Sequence, residues 1–115
     1  MEVLRRAIRI YQRESGERPF VTWMRSLRDV RGKQAIEARI ARVSLGNLGD
    51  HRAVGEGVTE LRLFIGPGYR VYIGLEGGTV VILLCGGDKG SQDGDIKKAK
   101  EFWKDYQRNK TYDYG

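Results

Sequence analysis

The segment from Gly57 to Gln92 constrains this chain most, because apolar and polar residues alternate on both sides of Gly66-Pro67-Gly68. A period of two sends successive side chains to opposite faces of a strand. Leu61, Leu63 and Ile65 therefore share one face with Val71, Ile73 and Leu75, while Glu60, Arg62, Arg70 and Tyr72 share the other. Both apolar sets fall at odd positions, so directly opposed residues must sum to an even number. A three-residue turn at Gly66–Gly68 predicts Ile65 opposite Tyr69, Phe64 opposite Arg70 and Arg62 opposite Tyr72. That register gathers Arg62, Arg70 and Tyr72 into one patch. A face with two guanidinium groups, a phenol and a carboxylate can hold an anion and move protons.

The flanking segments set the fold class. Thr79–Cys85 follows the turn Glu76-Gly77-Gly78 as a further strand after Thr59–Ile65 and Tyr69–Leu75. Its core, Val80–Leu84, is apolar without alternation, as in a central strand covered on both sides or paired with the N-terminal strand. Val3–Tyr11 reads as that N-terminal strand, with Arg9 on its wet face. Pro19 is placed to open a helix whose stripe is Phe20, Trp23, Met24 and Leu27. Arg31-Gly32 is read as a short break before a second helix carrying Ile36, Ile40 and Val43, with Arg42 pointing away from that stripe and Gly46 as its stop. These two helices are expected as an antiparallel hairpin. Gly46–Gly57, which contains His51 and Arg52, reads as a polar loop. Asp93 or Asp95 is expected to cap a last helix with the stripe Ile96, Ala99, Phe102, Trp103 and Tyr106 packed on the core. Residues 109–115 are expected to form a frayed tail. The order is β-α-α-β-β-β-α in one α+β domain over 1–115, an antiparallel sheet with its helices on one face.

Composition narrows the partners. The 115 residues carry 21 Lys+Arg against 15 Asp+Glu, a formal charge of +6. That excess favours a polyanionic partner, nucleic acid first, over a solvated basic surface or one masked by an acidic protein. The single cysteine permits no internal disulfide, which suits a reducing cytosol, and its place on an apolar strand predicts a buried, inert thiol at Cys85. Residues 1–13 lack the apolar stretch of a signal peptide, and the run Val80–Cys85 is too short to cross a bilayer. A cytoplasmic protein without membrane contact is expected. No His/Cys cluster or paired-carboxylate site suggests a metal, and the glycine pairs are turn chemistry with no phosphate-loop motif. The sequence calls for no cofactor.

Taken together, G-N-L-G-D (Gly46–Asp50), G-E-G-V-T-E-L-R (Gly55–Arg62), G-P-G-Y-R-V-Y (Gly66–Tyr72), L-L-C-G-G-D-K (Leu83–Lys89) and Q-x-x-D-I-x-x-A (Gln92–Ala99), after F-x-x-W at Phe20–Trp23, resemble one family. They are similar to addiction-module killer proteins, phage-derived HigB-like members of the RelE/ParE toxin superfamily, over nearly the whole chain. The resemblance implies a RelE/ParE-like fold and a type II toxin encoded beside a cognate antitoxin, a small helix-turn-helix protein. In the RelE-like branch it implies entry into the ribosome and metal-independent cleavage of mRNA, the 2′-hydroxyl attacking the adjacent phosphate. In the ParE-like branch the target is DNA gyrase and no RNA is cut. An inactive relative would instead serve as a DNA-binding co-repressor with its antitoxin.

The residues favour the endoribonuclease branch. In-line attack needs charge neutralisation at the phosphate, an acceptor for the 2′ proton and a donor for the leaving oxygen. Arg62 and Arg70 match phosphate geometry and keep their charge. Lys89, after two glycines at a strand end, can reach the same anion. Tyr72 can stack on a base or donate a proton, and Glu60 can accept the 2′ proton or orient Arg62. Arg52 stands where the family usually has a basic residue. His51, Gln92 and Arg42 complete the candidate RNA contacts. The identity of the general base stays open, since arginine is a poor base at neutral pH. The alternative use of Arg62 and Arg70 is cross-strand pairing with Glu60.

Overall fold

The computed structural model describes residues 5–112. The Val3–Leu4 end of the expected first strand and the last three residues of the expected tail lie outside them. Five strands form one mixed sheet in the order β1-β5-β4-β3-β2: β1 (Ala7–Ile10), β2 (His51–Gly55), β3 (Val58–Arg62), β4 (Tyr69–Glu76) and β5 (Val80–Asp88). Helices α1 (Pro19–Ser26) and α2 (Val30–Ser44) lie between β1 and β2, and a short 3-10 turn (Lys89–Ser91) leads into α3 (Gln92–Tyr112). The α+β class and the C-terminal helix agree with the sequence. Three features differ.

First, the sheet is mixed: β1 runs parallel to β5, with Ala7 beside Val80 and Ile10 beside Leu83. This pairing makes β5 central, which is why Val80–Leu84 is apolar without alternation. Second, residues 46–57 are not all loop. His51–Gly55 forms an edge strand antiparallel to β3, and its mostly exposed, glycine-ended sequence carries no alternating signal. Third, the helices cover both faces. Phe20 of α1 and Ile36 and Val43 of α2 pack with Leu61, Leu63, Val71, Ile73, Val81 and Leu83 on one side. Ala99 and Trp103 of α3 pack with Val58, Tyr72, Ile82, Leu84 and Cys85 on the other. The aromatic stripe of α3 thus docks on the core as expected, but on the face predicted to be wet.

Two close approaches explain how both faces pack tightly. A Cβ at Gly86 would collide with the Trp23 ring on the first face, and one at Gly74 would collide with the Trp103 ring on the second. Each glycine is the floor on which an indole lies flat against the sheet. The second face also gains a residue at a bulge, where Tyr72 pairs with Cys85 but Ile73 pairs with Leu83. Leu84 is therefore turned to the α3 side together with Cys85.

Helix boundaries follow local chemistry. Pro19 opens α1 as predicted. The break before α2 falls at Leu27–Asp29 and not at Arg31-Gly32, because the Asp29 carboxylate accepts from Gly32 N at 3.0 Å and caps the helix there. Gly32 is inside α2, packed so closely on Asp29 and the Tyr69 ring that a side chain would not fit. The last helix is not capped by Asp93 or Asp95. Asp88 caps the preceding 3-10 turn through Gly90 N and Ser91 N, with Ser91 returning the bond to Asp88 N. Residues 109–112, expected to fray, continue α3. Among the described residues no helix is long and apolar enough to cross a membrane.

Candidate anion-binding site

The observed β3–β4 register is shifted by two residues from the predicted one, which lengthens the connection to Phe64–Gly68: Arg62 faces Arg70, Glu60 faces Tyr72 and Leu61 faces Val71. The even sum holds, so the side chains within the ladder lie on their predicted faces, but the neighbours change. Leu63 N still bonds Tyr69 O at 3.0 Å, and the hairpin closes through Gly68 N to Ile65 O at 3.1 Å. Gly66 and Gly68 both take positive φ, 56° and 80°, which lets the chain reverse over Gly66–Gly68 without a Cβ clash. Phe64 and Ile65 are consequently left beyond the ladder and exposed, and Ile65 does not join the core as its parity predicted.

Two rows of side chains cross the α3 face. The first is Arg52–Glu60–Tyr72, on β2, β3 and β4. Glu60 and Tyr72 are both 0% exposed. One carboxylate oxygen of Glu60 accepts from Arg52 Nε at 2.9 Å, and the other from Tyr72 OH at 3.0 Å and Gln92 Nε2 at 2.9 Å. Burial pushes the Glu60 carboxyl upward, but the bonds from Gln92, Arg52 and Tyr72 and the Arg52 charge outweigh it and hold its pKa below the ordinary value. Tyr72 moves the other way: burial, then the adjacent Glu60 charge, push its phenol well above the ordinary range. Glu60 is therefore an ion that stays ionised and saturated with donors. It does not orient Arg62 or serve as an open base, and Tyr72 has no exposed ring face on which a base could stack. The row is a clamp that ties α3 to three strands.

The second row is Asp50–Arg62–Arg70, one step nearer the Gly66–Gly68 turn. Arg62 N donates to Asp50 O at 3.0 Å, and Arg62 Nη2 donates to Asp50 Oδ1 at 2.9 Å. Arg39 of α2 fixes the same corner by donating to Asp50 O at 3.1 Å and Arg62 O at 2.8 Å. Arg70 is only 7% exposed, yet its Nε and Nη1 have no hydrogen-bond partner among the described residues, nor do Arg62 Nε and Asp50 Oδ2. A buried guanidinium without an acceptor is costly and uncommon in a finished core. Four buried polar atoms without partners fall in this single row. The alternative cross-strand pairing of Arg62 and Arg70 with Glu60 does not form, since the Glu60 carboxylate is bonded to Arg52, Tyr72 and Gln92.

Lys89 is exposed at the start of the 3-10 turn. A Cβ built at Gly68 would stand 3.5 Å from Lys89 Cβ and 3.9 Å from Arg70 Nη1. The bare Gly68 backbone thus separates the lysine stem from the Arg70 head, and three cationic side chains border one corner of the α3 face.

The remaining predicted contacts separate. Arg52 and Gln92 are committed to Glu60. His51 faces Leu61 across the ladder, so it points to the opposite side of the sheet from Arg52. It is exposed, and its Nδ1 donates to Gly49 O at 2.7 Å. Arg42 lies exposed on α2, on that same opposite side. Neither joins the arginine row. Asp50 does, and the sequence signalled it only as the end of G-N-L-G-D, since its place beside Arg62 depends on the unpredicted edge strand. Cys85 is buried, and burial pushes its thiol up to about 12, with the Asp95 charge adding to the rise. Among the described residues no three His, Cys, Asp or Glu side chains come together in a way that could hold a metal ion.

No protein-family model matches this chain, and no solved structure matches it. A protein of Haemophilus influenzae (strain ATCC 51907 / DSM 11121 / KW20 / Rd), described as an uncharacterized protein, is 52% identical over 81 residues, covering 70% of this chain and 82% of that protein. At that identity and coverage the chain belongs to the same family as the Haemophilus influenzae protein.

Proposed function

We propose that this chain is a toxin of the RelE/ParE fold and a metal-independent, ribosome-dependent endoribonuclease that arrests translation by cutting mRNA. The observation that carries this reading is the Arg62–Arg70 row, in which a nearly buried guanidinium keeps two nitrogens without an acceptor among the described residues. An anion is the ligand such a group is built to receive, and a phosphodiester is the anion that a basic chain of this kind meets most often. Arg62, Arg70 and Lys89 neutralise the non-bridging oxygens as charge develops there. The 2′-oxygen gives up its proton and bonds to phosphorus, the bond to the 5′-oxygen breaks, and that oxygen takes a proton from water, so the cut leaves a cyclic phosphate and a 5′-hydroxyl. Glu60 and Tyr72 act at one remove, holding α3 against the sheet. Asp50, whose side chain is 35% exposed beside Arg62, takes the place of Glu60 as acceptor of the 2′ proton. The cognate antitoxin is a helix-turn-helix protein that covers the arginine row.

Cell-free translation followed by mapping of message ends tests this reading. The expected result is 5′-hydroxyl ends inside reading frames, lost in Arg70→Ala and reduced in Asp50→Asn. Intact messages in the presence of folded wild-type protein overturn it.

One observation favours a second reading. With Glu60 and Tyr72 sealed under α3, the site is richer in anion-binding groups than in proton-transfer groups. A non-nucleolytic toxin directed at DNA gyrase fits that balance. Double-strand breaks and a DNA-damage response with uncut messages would select it.

A further inference from the structure

Among the described residues Phe64 is the most exposed of the large apolar side chains, at 80%. It follows Leu63, which is buried in the core under α1 and α2, so the phenyl ring emerges on the opposite side, that of the arginine row. The Arg62 guanidinium carbon lies over the ring, 6.0 Å from its centroid. The turn that presents it is closed by the Ile65–Gly68 bond and borders Lys89 and Arg70 through Gly68. A solitary exposed phenylalanine needs no explanation by itself. Its position does, because an aromatic face next to two guanidinium groups, one ion-paired with Asp50 and one without an acceptor among the described residues, is the pairing that grips single-stranded nucleic acid: cations on the backbone, a ring under the base.

We infer that Phe64 is a stacking platform for one unpaired nucleobase of an RNA strand whose phosphate sits on Arg62 and Arg70. This rests on the phosphate-binding role given to that row above. The strand crosses the hairpin tip, its phosphate drawn to the guanidinium groups and its base laid on the ring from the solvent side. Arg62 serves both contacts, because its guanidinium lies on the row that holds the phosphate and over one face of the ring. The edge of a base is not read by a phenyl group, so the subsite selects for an unstacked base and tolerates any of the four.

The test uses two fluorescein-labelled RNA oligonucleotides of equal length, one intact and one with abasic residues at its centre, titrated against the whole chain. Wild type should bind the intact strand about tenfold or more tightly than the abasic one. Phe64→Ala should bind both strands with the weak, abasic affinity, while Phe64→Trp keeps the preference. The dependence on salt should be the same in Phe64→Ala as in wild type, but shallower by about 0.7 per lost phosphate contact in Arg70→Ala. Because Phe64 is solvated, its replacement leaves the melting temperature unchanged, which separates loss of stacking from loss of fold. If Phe64→Ala still prefers the intact strand, or wild type never does, the platform is refuted while message cleavage stands on its own assay. If wild type binds neither oligonucleotide at low salt, the platform falls together with RNA binding by the arginine row, and the exposed ring is left for a protein partner.

Discussion

Replacing Glu60 by alanine should cost this protein a large share of its stability, and the size of the loss can be built from the clamp. Three donors converge on the Glu60 carboxylate, from β2, β4 and α3. Arg52 is 49% exposed, so its guanidinium returns to water and contributes little. The Tyr72 hydroxyl is enclosed, and stripping its acceptor costs about 1–3 kcal/mol. Gln92 is half-buried and adds about 1 kcal/mol, and the deleted methylenes add about 1 kcal/mol as a cavity. The total is about 3–5 kcal/mol, out of about 5–15 kcal/mol for a domain this size. At about 4 °C per kcal/mol the melting temperature falls by about 12–20 °C. Urea unfolding of Glu60→Ala, Tyr72→Phe and the double variant should give a coupling of about 1 kcal/mol or more. The clamp also has a pH signature. The folded pKa of Glu60 lies below its ordinary value of 4.5, so its contribution is complete above that value and is lost as pH falls through the lower, folded one. Glu60→Gln should flatten that part of the acid transition. A Glu60→Ala protein within 0.5 kcal/mol of wild type, with no coupling to Tyr72→Phe, would refute the clamp.

Arg70→Met should separate function from stability: removing a buried cation without a partner raises the unfolding free energy by about 1–2 kcal/mol, read from urea unfolding, while translation arrest disappears. A destabilised Arg70→Met protein would mean that the guanidinium has acceptors within the fold. Gly74→Ala drives a methyl group into the Trp103 ring and should cost about 1–3 kcal/mol, read by thermal melting; an unchanged Tm would mean that α3 does not lie on Gly74. Cys85, buried with its thiol pushed up to about 12, should resist alkylation at neutral pH in the native protein and react once urea unfolds it. Fast labelling of folded protein would show that α3 opens readily.

Periodicity alone assigned the faces. The odd and even positions of β3 and β4 sort as the alternation requires, because parity survives a two-residue slip in register. Helical spacing likewise identified the stripes of α1, α2 and α3, and an unpatterned apolar run marked β5 as central. None of this depends on what lies across the sheet.

The neighbours did depend on it. Whether Arg62 meets Tyr72 or Arg70 follows from where the Gly66–Gly68 turn closes, a balance of turn geometry and packing that alternation cannot express. Glu60 and Tyr72 are polar enough to read as solvated, yet α3 covers them, because a carboxylate with three donors can be enclosed where a lone one cannot. That cover divides an apparently uniform polar face into a saturated clamp and an unsaturated arginine row. The order of residues determined which side chains share a surface; the docking of the last helix and the closing of one hairpin decided which of them are left with hydrogen bonds to offer.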